Sequence, residues 1–184
     1  MKNLMLTCIV LFTTPIIAQT KTHILNTEQS VINWQGSYSF SFSEHRGTVQ
    51  FKKGSLITTD GNIINGTFVI DMTTISNEDY LKGWGPVKHL RNKDFFDVDS
   101  FPEASLVITS INYFKNTNTH EVFANLKIKG ISKPVKFYAN VDGNKKTFKT
   151  KFIIDRTRWG ITYNNELKDK TISDAVEFDV LLQF

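Results

Sequence analysis

Between Ile32 and Phe42 the even positions read Ile32, Trp34, Gly36, Tyr38, Phe40 and Phe42, while the odd positions read Asn33, Gln35, Ser37, Ser39 and Ser41. A period of two puts the apolar set on one face, which predicts a half-buried β-strand with Gly36 at a bend or bulge. Glu44–His45–Arg46–Gly47 reads as a turn, after which Val49 and Phe51 alternate with Thr48, Gln50 and Lys52. Asp60–Gly61–Asn62 predicts a hairpin, because a tight turn between antiparallel strands needs residues that tolerate positive φ. Phe68, Ile70 and Met72 then share a face opposite Thr67 and Asp71. Further on, Leu106–Phe114 is β-rich without clean alternation, and Asn116–Thr119 reads as a turn. Val122, Ala124, Leu126 and Ile128 alternate with charged and polar residues, and Gly130–Pro134 is expected to turn the chain again. Val135, Phe137, Ala139 and Val141 lead to a second hairpin signal at Asp142–Gly143–Asn144. Phe148, Thr150, Phe152 and Ile154 follow, and the last strand carries Val176, Phe178, Val180, Leu182 and Phe184 on one face.

The longest break in this pattern is His89–Pro102, HLRNKDFFDVDSFP. Pro102 blocks helix continuation and biases Phe101 toward extended backbone, so a short helix or crossover feeding a strand is expected. Two adjacent phenylalanines, Phe95 and Phe96, do not belong in a solvated loop. The stretch near residues 76–100 therefore reads as a short helical cap over one end of a β structure. About eight short antiparallel strands with regular turn signals make the fold all-β, a barrel or a sandwich. A barrel of about eight strands is either filled by its own side chains or holds one small ligand.

Length and composition add bounds. A chain of 184 residues makes one domain with a single sizeable core, with 40% hydrophobic and 22% charged residues and 15 phenylalanines. At the N-terminus Lys2, an apolar run over Leu4–Phe12 and a small-residue site ending at Ala18 describe a secretory signal peptide, residues 1–18, with the mature domain at residues 19–184. The run is shorter than the roughly 20 residues a membrane span needs. The alternative of Cys8 as a lipoprotein cysteine fits less well, since almost no apolar sequence precedes it. Cleavage near Ala18 removes Cys8, the sole cysteine, and lowers the formal charge from +4 to +3. That leaves no disulfide or thiol chemistry, and a periplasmic or secreted location. The small basic excess is interspersed with acids, which argues against nucleic acid as a partner.

Three segments, HLRNKDFFDVDSFPEA at His89–Ala104, LKIKGISKPV at Leu126–Val135 and DRTRWGI at Asp155–Ile161, resemble in order and spacing the YceI-like, polyisoprenoid-binding family of secreted bacterial proteins. The resemblance runs from about Ser30 to the C-terminus. It implies a lipocalin-like antiparallel barrel whose apolar interior holds a long isoprenoid chain of quinone or polyprenyl type, without catalysis. A bound isoprenoid lipid is then the only cofactor-like group expected. Transient membrane contact and a monomeric or homodimeric state are compatible with it.

The inward candidates are Tyr38, Phe40, Phe42, Phe68, Ile70, Met72, Leu126, Phe137, Phe152, Phe178 and Val180. Burial of apolar surface at about 25 cal/mol per Å² could hold an extended lipid with no charged contact; the competing reading is that these side chains simply fill the core. Parity with Phe152 and Ile154 puts Arg156 inward, where a guanidinium must be paired. It either meets a polar head group at the rim or clamps a carboxylate or loop carbonyls. Trp159 would stack on it or line the rim, and His89 would cap the barrel or touch a head group. His23, His45, His89 and His120 show no metal-ligand spacing. Asp94, Asp97 and Asp99 lack the glycine and terminal glutamate of a calcium loop. Two alternatives remain open: a small barrel enzyme using His89, Asp94 and Arg156 on an apolar substrate, and a ligandless envelope stress or interaction protein.

Overall fold

Period-two patterning becomes nine strands in the structure, a computed structural model that describes residues 18–38, 44–77, 86–162 and 172–184. The side chains of Tyr38 and Ile172 and the expected signal segment through residue 17 lie outside the described residues, as do Phe40, Phe42 and part of the expected cap, 78–85. The strands are β1 (Thr20–Ile24), β2 (Val31–Tyr38), β3 (Glu44–Thr59), β4 (Asn62–Asp71), β5 (Glu103–Phe114), β6 (Thr119–Ile128), β7 (Ile131–Asp142), β8 (Thr147–Asp155) and β9 (Ile172–Gln183). All pairs are antiparallel. The order β3-β2-β9-β8-β7-β6-β5-β4 closes where β4 returns to β3, making an eight-stranded barrel. The sixteen-residue β3 pairs with β2 over Glu44–Val49 and with β1 over Ser55–Thr59. β1 thus extends the β2 side of the wall rather than joining the ring.

Two expected turns are corrected. Glu44–Gly47 is strand: Ser37 pairs with Glu44 and Gly36 with His45. Gly47 serves close approach, not a turn, because a Cβ there would overlap the Ser76 carbonyl oxygen and lie 2.7 Å from the Trp34 ring. In the second case Ile128 pairs directly with Ile131, so the turn is only Lys129–Gly130, at φ 49° and 76°. Pro134 lies inside β7, where β8 offers no ladder; their pairing covers only Ala139–Asp142 with Thr147–Thr150. A residue without an N–H is tolerated at such an edge. The Asp60–Gly61 hairpin has both residues at positive φ, 50° and 81°.

Bulges explain the irregular alternation elsewhere. One between Phe51 and Lys53 moves the buried set of β3 from Val49 and Phe51 to Leu56. Another between Ile108 and Ser110 moves that of β5 from Ala104 and Ile108 to Ile111. At one end of the barrel lies the five-residue helix α1 (Val87–Arg91), followed by turns. Hydrogen bonds from Phe96 N to Leu90 O (3.1 Å) and Val98 N to Arg91 O (3.0 Å) fold this segment onto itself. Phe95 and Val98 point into the core. Met72 N donates to Pro102 O at 2.9 Å, which ties the return of the chain to the end of β4.

Candidate functional site: an apolar cavity inside the barrel

Inward residues from all eight ring strands surround a cavity of about 500 Å³. Eight of the sequence-predicted residues line it: Phe68, Ile70, Met72, Leu126, Phe137, Phe152, Phe178 and Val180. Tyr38, by its side chain, and Phe40 and Phe42 altogether lie outside the described residues. Phe137 and Phe152 stack at 4.8 Å between centroids and 19°, and Phe152 meets Phe178 at 5.5 Å, forming an aromatic wall across β7, β8 and β9. Phe51 meets Phe68 edge-on at 6.1 Å on the other side. The cap closes over this space with Leu90, Phe95 and Phe96; the two phenylalanines lie edge-to-face at 5.4 Å. Trp34, Phe51 and Phe148 also line the cavity and were absent from the predicted set. Their signal was present: Trp34 continues the parity of Tyr38 along β2 and Phe148 that of Phe152 along β8, while Phe51 alternates with polar neighbours on β3.

Polar side chains reach the lining at few points. Thr150 donates to the Tyr138 carbonyl at 2.7 Å, which satisfies its buried hydroxyl. Ser37, His45, His89, Arg156 and Ser173 gather at the cap end, by virtue of their places at the ends of β2, β3, β8 and β9 and in α1. The deep part of the cavity is therefore apolar, and its polarity is concentrated at one end.

Arg156 is 3% exposed and follows β8 in a 3₁₀ turn, Arg156–Trp159. Its Nε donates to Ser173 O at 3.2 Å, Nη1 donates to Ile161 O, and Nη2 lies 3.0 Å from Asp174 Oδ1. Its guanidinium carbon also sits 5.7 Å from the Phe95 ring centroid. The guanidinium is thus a clamp that joins the end of β8, the start of β9 and the cap. Asp155 starts this turn by accepting from Thr157 N at 2.9 Å and Thr157 Oγ1 at 2.6 Å. The Thr157 hydroxyl and amide hold the Asp155 carboxyl below its ordinary range.

Trp159 does not lie at the rim. It is 0% exposed, outside the cavity lining, and donates its indole N–H to Leu126 O at 3.0 Å. The cation over its ring is Arg158, at 5.3 Å, rather than Arg156, and Arg158 Nη2 donates to Pro134 O at 2.9 Å. Both bonds run from the turn after β8 to β6 and β7, where β7 and β8 no longer pair. Burial of a large indole at that gap is what places it in the core. His89 is exposed on α1 and borders the cavity. Asp94 is exposed and outside the lining, so His89, Asp94 and Arg156 are not brought together around a common point. Among the described residues no cluster of His, Cys, Asp and Glu could hold a metal ion.

Known proteins share this architecture. The barrel superposes on BcnA of Burkholderia cenocepacia with a TM-score of 0.67 at 20% identity, covering 86% of this chain and 98% of that one. It is also similar to a polyisoprenoid binding domain from Saccharophagus degradans, with a TM-score of 0.57 at 13% identity and coverage of 86% and 95%. In sequence it is 29% identical to a UPF0312 protein of Yersinia enterocolitica over 103 residues, which is 56% of this chain and 48% of that protein. The chain spans about half the length of the curated relatives it matches. The sequence profile of the YceI-like domain matches residues 24–184, the whole of the barrel, and the chain belongs to that family.

Proposed function

We propose that this protein binds, and carries or stores, an amphiphilic lipid of isoprenoid type, with the hydrocarbon in the barrel and the polar head at the cap end. The observation that carries this reading is the aromatic-walled space of about 500 Å³, whose deep polar group is already satisfied. Such a void left dry forfeits packing on every side, and an apolar guest restores it. The polyisoprenoid description of the Saccharophagus degradans domain supports the choice of lipid class. The signal-like N-terminus supports periplasmic or secreted delivery, with cleavage near Ala18. A cap able to open at a bilayer would let the tail pass without exposure to water, so membrane contact is transient in this scheme.

The test is solvent extraction of protein purified from its native source and from a heterologous host, followed by mass spectrometry. A stoichiometric isoprenoid lipid in the native extract is the expected result. Extracts empty from both sources would instead favour a ligandless envelope protein.

A further inference from the structure

A second space, of about 400 Å³, lies at the barrel end opposite the cap, between the β3–β4 and β7–β8 hairpins. Lys21, His23, Asp142 and Lys146 make its border polar. Phe148 lines both this space and the main cavity, and among the described residues it alone does so. It is 2% exposed, and its cross-strand neighbours divide accordingly. Val141, its partner on β7, faces the smaller space, and Leu182, its partner on β9, faces the larger.

Resting on the isoprenoid reading above, we infer that Phe148 is the floor of the binding tube and sets the length of hydrocarbon the protein accepts. At about 30 Å³ per methylene-sized group, a cavity of about 500 Å³ houses roughly 16 such groups, or about three isoprene units. A longer tail meets the Phe148 ring, which shuts it out of the second space, where Leu56, Ile63, Val141 and Phe184 lie behind the polar border. Additional units therefore stay outside the wall and add no affinity. Removing the ring joins the two spaces and nearly doubles the room.

Dissociation constants for geraniol, farnesol, geranylgeraniol and a long polyprenol, read by quenching of tryptophan fluorescence, test this in the full mature chain. In the wild type, affinity rises from geraniol to farnesol and then levels off, geranylgeraniol and the long polyprenol binding no tighter than farnesol. Each buried methylene is worth roughly fourfold in Kd at best, so Phe148→Ala should bind geranylgeraniol about tenfold or more tighter than farnesol. Phe148→Leu, which keeps an apolar side chain there, should move the plateau in the same direction by less, with circular dichroism reporting the fold of both. A wild-type affinity that keeps rising past farnesol overturns the floor, whatever the variants do. Variants that bind with an unshifted plateau overturn it as well and leave the isoprenoid reading standing. Absence of binding at every length, in wild type and variants, overturns both.

Discussion

The buried guanidinium of Arg156 is satisfied by two carbonyls and one carboxylate, those of Ser173, Ile161 and Asp174, which lie up to 18 positions further along the chain. Arg156→Met should lower stability by about 2–4 kcal/mol in urea denaturation, since it strands buried carbonyls and unties β9 from the cap. Asp174 is different: its side chain is 62% exposed, so Asp174→Asn should lose only about 1 kcal/mol. Equal losses would mean that the ion pair, not the carbonyl clamp, holds the turn. Parity along β8 is enough to place Arg156 inward, where it must be paired, but only the tertiary fold brings these three partners to it. His120 carries a second residue-scale prediction. Its Nδ1 is buried without a hydrogen-bond partner, its ring stacks on Tyr113 at 4.6 Å, and burial holds its pKa below the ordinary 6.5. The folded state then binds fewer protons than the unfolded one between the depressed value and 6.5. The stability from keeping this ring neutral is complete above pH 6.5 and is lost as pH falls through the folded value. Thermal midpoints from pH 7.5 to pH 5 should fall less steeply for His120→Gln than for wild type; parallel curves would remove His120 from the acid response.

At the scale of elements, most strands followed from period two, and the errors have identifiable causes. A bulge flips the inward set without changing residue chemistry, so β3 and β5 could be read as strands but not followed through their centres. Gly47 looked like turn chemistry because sequence cannot distinguish a glycine at positive φ from one against which another backbone packs. Pro134 misled in the same way, since the lapse of β7–β8 pairing that admits it is a property of the barrel. One local device went unread although it is written twice. Asp71–Met72–Thr73 and Asp155–Arg156–Thr157 each end a strand with an Asp-X-Thr unit. In each, the aspartate Oδ1 accepts both the amide and the hydroxyl of the threonine, at 3.0 and 2.5 Å for Asp71 and 2.9 and 2.6 Å for Asp155. Each unit bends the chain into a 3₁₀ turn and delivers its middle residue, Met72 or Arg156, to the cap end of the cavity. Loss of such a cap is worth about 1 kcal/mol, so Asp71→Ala and Asp155→Ala should each be destabilised by about that much in chemical denaturation. The double variant should show additive loss, because the two turns share no hydrogen bond. A loss well above the sum would mean that the two turns hold the cap as one unit.

For the molecule as a whole, sequence alone left a barrel that could be either filled or hollow, because an alternating strand looks the same whether its inward side chains meet at the axis or stop short of it. Volume is decided by barrel circumference and by which side chains lie at each level, and only the closed ring of eight strands supplies both. The hollow interior makes a thermodynamic demand that a filled one does not. A guest that binds only the folded state at 100 times its Kd stabilises it by about 2.7 kcal/mol. For a domain of this size each kcal/mol moves the melting midpoint by roughly 2–4 °C, so saturating farnesol should raise it by about 5–10 °C. Gly36 supplies the control for location. It lines the cavity between Trp34 and Ser37, and among the described residues a Cβ built on it meets nothing within 4 Å. Gly36→Leu should therefore project into the guest's space at the cap end, its Cβ clear of the described neighbours. Its unliganded midpoint should hold or rise, since glycine in a strand is entropically disfavoured. The farnesol-induced shift should shrink by half or more. Were the full shift to survive in Gly36→Leu, the lipid would be binding the outside of the barrel, and the interior would have to be assigned another occupant.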